Sequence, residues 1–207
     1  MPRSDDRFAT RRRVLRPETT VEHVDEFAQG FQWPMVSVIE RDRGAGTDGE
    51  VVWQADGHAH GKRVLKTGSL HYVMDAMFGI GYIYFTGDPK GVAETLDATA
   101  DEALRPWTVE ELCQSFDQAP DSRTRGQAVL RLGLAAPGTF DQHVFKRIGA
   151  ALADEDARVR YASVFAATST RYEAFLPNLR EIADRDAEDF LRERAMAALR
   201  AMDGVRV

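Results

Sequence analysis

The last hundred residues of this chain repeat. Three segments superimpose when Arg125, Arg160 and Arg192 are placed in register, at spacings of 35 and 32 residues. Around those arginines run Asp121-Ser122-Arg123-Thr124-Arg125, Asp154-Glu155-Asp156-Ala157-Arg158-Val159-Arg160-Tyr161, and Asp186-Ala187-Glu188-Asp189-Phe190-Leu191-Arg192-Glu193-Arg194. Each segment reads as an amphipathic helix, a short acidic turn and a second helix opening near the aligned arginine. One such pair cannot bury both sides of its apolar stripe, so neighbours must stack to complete a core. Phe145, Ile148, Leu152, Val164, Phe165, Leu176, Leu179, Ile182, Leu191 and Leu199 fall on the faces that would meet.

The run Leu152-Ala153-Asp154-Glu155-Asp156-Ala157-Arg158-Val159-Arg160-Tyr161-Ala162 resembles a HEAT repeat. In that family an apolar helix end leads to an aspartate turn, an apolar–arginine pair and an alanine-rich helix. Asp154/Arg160 and Asp186/Arg192 have the family's six-residue spacing, and Pro177 stands inside a first helix as in many HEAT units. The first repeat departs from the pattern. Ala119 holds the turn position, flanked by Asp117 and Asp121, which suits a capping unit. The resemblance covers about residues 107–202 and implies an α-solenoid that binds another protein. The expected fold class is α+β: a small N-terminal α/β portion with a β-hairpin, packed on a HEAT-like helical array. The expected divisions are a flexible arginine-rich arm (1–18), an N-terminal α+β portion (19–105) and the repeats (106–207).

Within the N-terminal portion, Thr19 and Glu22 read as a capping box opening a helix that Gly30 ends. Met35 to Arg41 and Glu50 to Ala55 are β-branched and partly alternating. The glycine-rich polar insert Asp42 to Gly49 between them predicts a hairpin with a long loop. A third strand is expected around Arg63 to Lys66. Leu70, Val73, Met74, Met77 and Phe78 predict a helix after Ser69. Tyr82 to Phe85 fits either a buried strand or the core side of a turn. Val92 to Leu104 predicts a helix closed by Pro106.

Net charge narrows the function. The chain carries 27 Lys+Arg against 33 Asp+Glu, a formal charge of −6 and a pI near 5.4. Such a balance disfavours nucleic-acid binding that relies on clustered cations. Cys113 is the single cysteine, so no intrachain disulfide forms and a reducing cytoplasm is the expected home. No signal-peptide pattern or membrane-spanning apolar run is read, and 23 Arg against 4 Lys suggests bacterial coding bias. Gly44-Ala45-Gly46 lacks the Lys-Ser/Thr and helix of a phosphate loop, and Cys113 reads as a small buried hydrophobe.

Two sets of residues remain as candidates. Arg123, Arg158, Tyr161 and Arg194 lie at the starts of second helices and are of the types that anchor interfaces. Arg125, Arg160 and Arg192 are better assigned to pairing with the turn aspartates. Asp56, His58, His60 and His71 have metal-ligand chemistry, but two histidines at i, i+2 are weak evidence for a metal. The leading expectation is a non-enzymatic protein-binding module such as an adaptor, inhibitor or immunity-like factor, with no cofactor. The alternatives are a small metalloenzyme at the His58/His60 loop and a nucleic-acid-binding repeat protein.

Overall fold

The computed structural model describes the backbone of residues 8–59, 62–87 and 90–203, and their side chains apart from residues 56–67. The chain divides into two compact units, residues 1–107 and 108–207.

The first unit is built on an antiparallel sheet. Its strands are β1 (Phe8–Ala9), β2 (Arg13–Val14), β3 (Met35–Ile39), β4 (Gly49–Ala59), β5 (Lys62–Met74) and β6 (Gly81–Gly87), in the order β1-β6-β5-β4-β3 with β2 also on β6. Helices α1 (Val21–Gly30) and α2 (Lys90–Leu104) belong to the same unit. Alternation along the strands puts Trp53, Ala55, Leu70, Tyr72, Ile83 and Phe85 into one core with Val24 and Ala28 of α1 and Ala93, Leu96 and Ala100 of α2. Each large side chain fully buried there contributes about 1.5–3 kcal/mol. Trp53 meets its polar need by donating from Nε1 to Asp25 Oδ1 at 2.8 Å. Gly68 makes the close approach of α2 feasible: a Cβ there would lie 2.5 Å from Leu96 Cδ1 and 2.9 Å from the Thr86 carbonyl. At the other edge, β3 leaves Met35, Val36, Val38 and Ile39 exposed, and a bulge breaks its register with β4 between Met35 and Ser37.

Three expectations change here. Residues 8–16, placed in a flexible arm, are tied to the sheet instead. Arg13 holds Asp97 through two hydrogen-bonding nitrogens, at 2.6 Å from Nη2 and 3.1 Å from Nε, and reaches Asp101 at 2.9 Å. Val14 and Leu15 are buried, while residues 1–7 lie outside the described residues. The helix expected from Ser69 to Phe78 is the second half of β5 and the turn after it. Leu70, Val73 and Met74 fit a helical stripe. However, Leu70-Tyr72-Met74 also alternate, and β4 and β6 offer backbone partners on both sides. The capping box of α1 is shifted by one residue: Thr20 is the N-cap, and His23 Nδ1, not Glu22, accepts from the Thr20 N–H at 3.1 Å. The hairpin β3–β4 forms around the Asp42-to-Gly49 insert, where Asp42 and Thr47 pair and the Asp42 carboxylate accepts from the Gly44 and Ala45 N–H groups.

The second unit is helical throughout. It contains α3 (Val109–Asp117), α4 (Ser122–Ala135), α5 (Gln142–Leu152), α6 (Ala157–Thr170), a short 3-10 turn (Glu173–Phe175), α7 (Leu176–Arg185) and α8 (Asp189–Asp203). The acidic turns are the start signals. Asp121 accepts from Thr124 N, Asp141 from His143 N and Val144 N, and Asp156 from Arg158 N. Thr108 and Glu111 form a full capping box on α3. The second helices α4, α6 and α8 stack as one layer and the first helices α3, α5 and α7 as the other. The second-helix layer is drawn in tightly: a Cβ on Gly133 would stand 2.4 Å from Ala166 Cα. Ile148, Leu152, Val164, Leu176, Leu179, Ile182 and Leu191 are buried between the layers as expected. Phe145, Phe165 and Leu199, also expected there, are only partly buried.

Candidate functional site

The aligned arginines bind the turns. Arg160 donates from Nε and Nη2 to the two Asp186 oxygens, at 2.8 and 3.0 Å, and from Nη1 to the Asp154 and Glu155 carbonyls, at 2.9 and 3.0 Å. One guanidinium thereby holds its own turn and the turn of the next repeat. Arg125 approaches Asp154 at 3.6 Å in the same sense, and Arg192 reaches the Asp186 carbonyl and Asp189. The hydrogen bonds from Arg160 outweigh burial and hold the Asp186 carboxyl below the usual aspartate range. These arginines are therefore occupied in holding the array together.

The remaining residues of the second-helix layer are differently placed. Tyr161 meets Phe165 edge-on at 5.1 Å and Phe190 at 5.7 Å between ring centres. Arg194 lays its guanidinium over the Phe165 ring at 3.5 Å, with its Nε buried and unpaired among the described residues. Burial lowers the pKa of that guanidinium. Phe190 is 46% exposed, although it opens a helix directly after an acidic run. Arg158 is almost wholly in solvent, with only a 3.7 Å approach to Asp156. Arg123, the second residue of α4, is exposed.

Of the four expected contact residues, the structure brings Tyr161 and Arg194 together on Phe165. It leaves Arg158 on the same helix as Tyr161 and Arg123 on the neighbouring one. Sequence reasoning did not single out Phe190, and put Phe165 in the core. The available signal was the i, i+4 spacing of Tyr161 and Phe165 on an otherwise alanine-rich helix, with Arg158 one turn before Tyr161.

Of the metal-type set, only the His71 side chain lies among the described residues. His60 and the side chains of Asp56 and His58 lie outside the described residues. The backbone register opposes His71 to Val52 but Asp56 to Thr67 and His58 to Arg63. His71 thus lies four residues along β4 from Asp56, about 13 Å at strand rise. His71 is engaged elsewhere. Its Nδ1 lies 2.9 Å from Glu50 Oε1, its Nε2 lies 3.1 Å from Thr86 Oγ1, and the Tyr84 ring stacks on it at 4.4 Å. Because an ionised carboxylate only accepts, Nδ1 carries a hydrogen, and in the neutral ring Nε2 is left to accept from the Thr86 hydroxyl. Tyr84 also donates to Glu50, at 3.1 Å, and its phenol is pushed upward by burial and by the Glu50 charge. This is a cross-strand polar ladder with both ring nitrogens satisfied.

Cys113 lines a cleft of about 340 Å³ with Gln114, Asp117, His143 and Arg147. Burial raises its thiol pKa, and Arg147 is held by Asp117 at 2.6 Å, so the thiolate is disfavoured.

Residues 109–200 match the family model for HEAT repeats. The second unit is accordingly a HEAT-like helical-repeat array. No curated protein and no solved structure matches the chain. Among the described residues, no helix is long and apolar enough to cross a membrane.

Proposed function

We propose that this chain is a non-enzymatic protein-binding module acting through the second-helix layer of its HEAT-like array, in the manner of an adaptor, inhibitor or immunity-like factor. HEAT repeats are typical of protein-interaction modules, and stacked repeats offer a surface that extends over several units. The observation that carries the reading is the group Tyr161, Phe165, Phe190 and Arg194. It is aromatic and cationic, spans α6 and α8, and is partly open to solvent, with Phe190 46% exposed. Residues of these types dominate binding energy where they can be desolvated by a partner. Arg123 and Arg158 extend the surface along the same layer.

The test is affinity capture of the tagged chain from its own cell lysate, beside a Tyr161→Ala/Phe190→Ala variant of unchanged circular dichroism. A stoichiometric protein retained by the parent and lost by the variant supports the reading. Equal retention by both moves the surface elsewhere on the chain.

A further inference from the structure

Charge is unevenly spread over the helices of the second unit. Helices α4 and α6 carry Arg123, Arg125, Arg131, Arg158 and Arg160 and not one acidic residue. Helix α8 of the same layer is balanced, with Asp189, Glu193 and Asp203 against Arg192, Arg194 and Arg200, while in the other layer α3 carries Glu110, Glu111 and Asp117 without a base and α5 carries Lys146 and Arg147 without an acid. The cationic strip on α4 and α6 sits in a chain whose formal charge is −6. Arg125 and Arg160 are directed at turn aspartates and leave little charge over. Arg123 and Arg131 have no ion-pair partner among the described residues, and Arg158, 91% exposed, has only a 3.7 Å approach to Asp156. Arg131 is partly buried, and desolvation alone accounts for the lowering of its pKa.

Resting on the function proposed above, we infer that this layer receives an acidic protein segment, one in which an apolar or aromatic side chain is flanked by Asp or Glu. The apolar residue meets Tyr161, Phe165 and Phe190, and the carboxylates meet the guanidinium forks of Arg131 and Arg158. Arginine suits this role because its planar fork matches a carboxylate with two parallel hydrogen bonds. A polynucleotide fits less well. Duplex DNA carries a charge about every 1.7 Å. The strip ends at turns lined by Asp121, Asp154, Glu155, Asp156, Asp186 and Glu188, which repel a continuous polyanion but allow a short segment with two or three carboxylates. The overall acidity of the chain is thus misleading about the partner, because α4 and α6 of the contact layer have the opposite sign.

A phage-displayed library of random twelve-residue peptides, panned against the 207-residue chain at low salt, tests this. The comparison proteins are an Arg131→Glu/Arg158→Glu variant and the Tyr161→Ala/Phe190→Ala variant, with a short DNA oligonucleotide as competitor. The expected result is enrichment of peptides that carry Asp or Glu beside an aromatic or aliphatic residue. They should bind the charge-reversed protein on the order of tenfold more weakly and lose affinity for the alanine variant. Neutral or basic peptides that are still lost on the alanine variant would keep the surface but overturn the acidic partner. Displacement by DNA at lower concentration than by the best peptide, abolished by charge reversal, would overturn it in favour of nucleic acid. Peptides indifferent to both variants, or no enrichment at all, would overturn the surface itself.

Discussion

Removing Arg160 should loosen the joint between the second and third repeats, and the structure bounds by how much. Its guanidinium is 16% exposed and its partner Asp186 only 6%. Arg160→Ala leaves that carboxylate without its two charge-assisted hydrogen bonds and also frees the Asp154 and Glu155 carbonyls. Breaking a buried pair from one side costs about 3–5 kcal/mol. Asp186 retains the Glu188 N–H and the field of Arg192, which places the expected loss lower, near 2–3 kcal/mol.

The assay is urea unfolding followed by circular dichroism at 222 nm, because the tryptophans, Trp33, Trp53 and Trp107, all precede the helical unit. With a urea slope of about 1.5 kcal/mol/M the midpoint should fall by about 1.3–2 M. Arg160→Lys keeps the charge without the fork and should fall between the two. The pH dependence has a definite sign. A carboxylate held below its unfolded value of about 3.9 stabilises the fold above that pH and ceases to do so as pH falls through the lower folded value. The deficit of Arg160→Ala should therefore be equal at pH 7 and pH 5 and smaller at pH 3. A deficit under about 0.5 kcal/mol at pH 7, or one unchanged at pH 3, would refute the assignment of Arg160 as the clamp between repeats.

Three further substitutions probe other features. Gly133→Ala would normally gain about 1 kcal/mol of helix propensity, but its Cβ would meet the Ala166 backbone at 2.4 Å, so thermal unfolding should show a net loss of about 1–3 kcal/mol. Arg13→Ala should speed amide exchange at Thr10 and Leu15, whose N–H groups bond Phe85 and Gly81 carbonyls; unchanged protection would mean that β1 and β2 hold without the Asp97 tie. Phe190→Ala should cost under about 1 kcal/mol of stability in a melting curve while lowering affinity for the captured partner by more than tenfold, as expected of an exposed interface anchor.

The helical repeats were legible because their signal is redundant. The turn aspartate, the arginine six residues on and the apolar stripe report the same helix pair, and Arg160 with Asp186 shows the physical link among them. The first unit was harder because its strands are long and its cues short. The stretch Leu70 to Phe78 satisfies a helical stripe and a strand alternation at once, and only the strands on either side decide between them. Arg11-Arg12-Arg13 hid a strand because the salt bridge that turns Arg13 into a structural residue depends on Asp97, 84 positions away. The proposed surface draws on two kinds of cue. Residue type pointed to Tyr161 and Arg194, but whether Phe165 and Phe190 face core or solvent depends on how α6 and α8 lie against each other, which periodicity within either helix does not contain.

The edge strand β3 has a consequence for solubility. Five residues without a charge, open on a sheet margin, would ordinarily invite another chain to add its own backbone to the ladder. Here the bulge between Met35 and Ser37 breaks the row of donors and acceptors, so the regular stretch on offer is Ser37 to Ile39, about 10 Å long. Pro34, which has no N–H to give, closes one end, and Glu40 and Arg41 close the other with charge. The protein thereby carries an apolar margin too short and too interrupted to propagate from chain to chain.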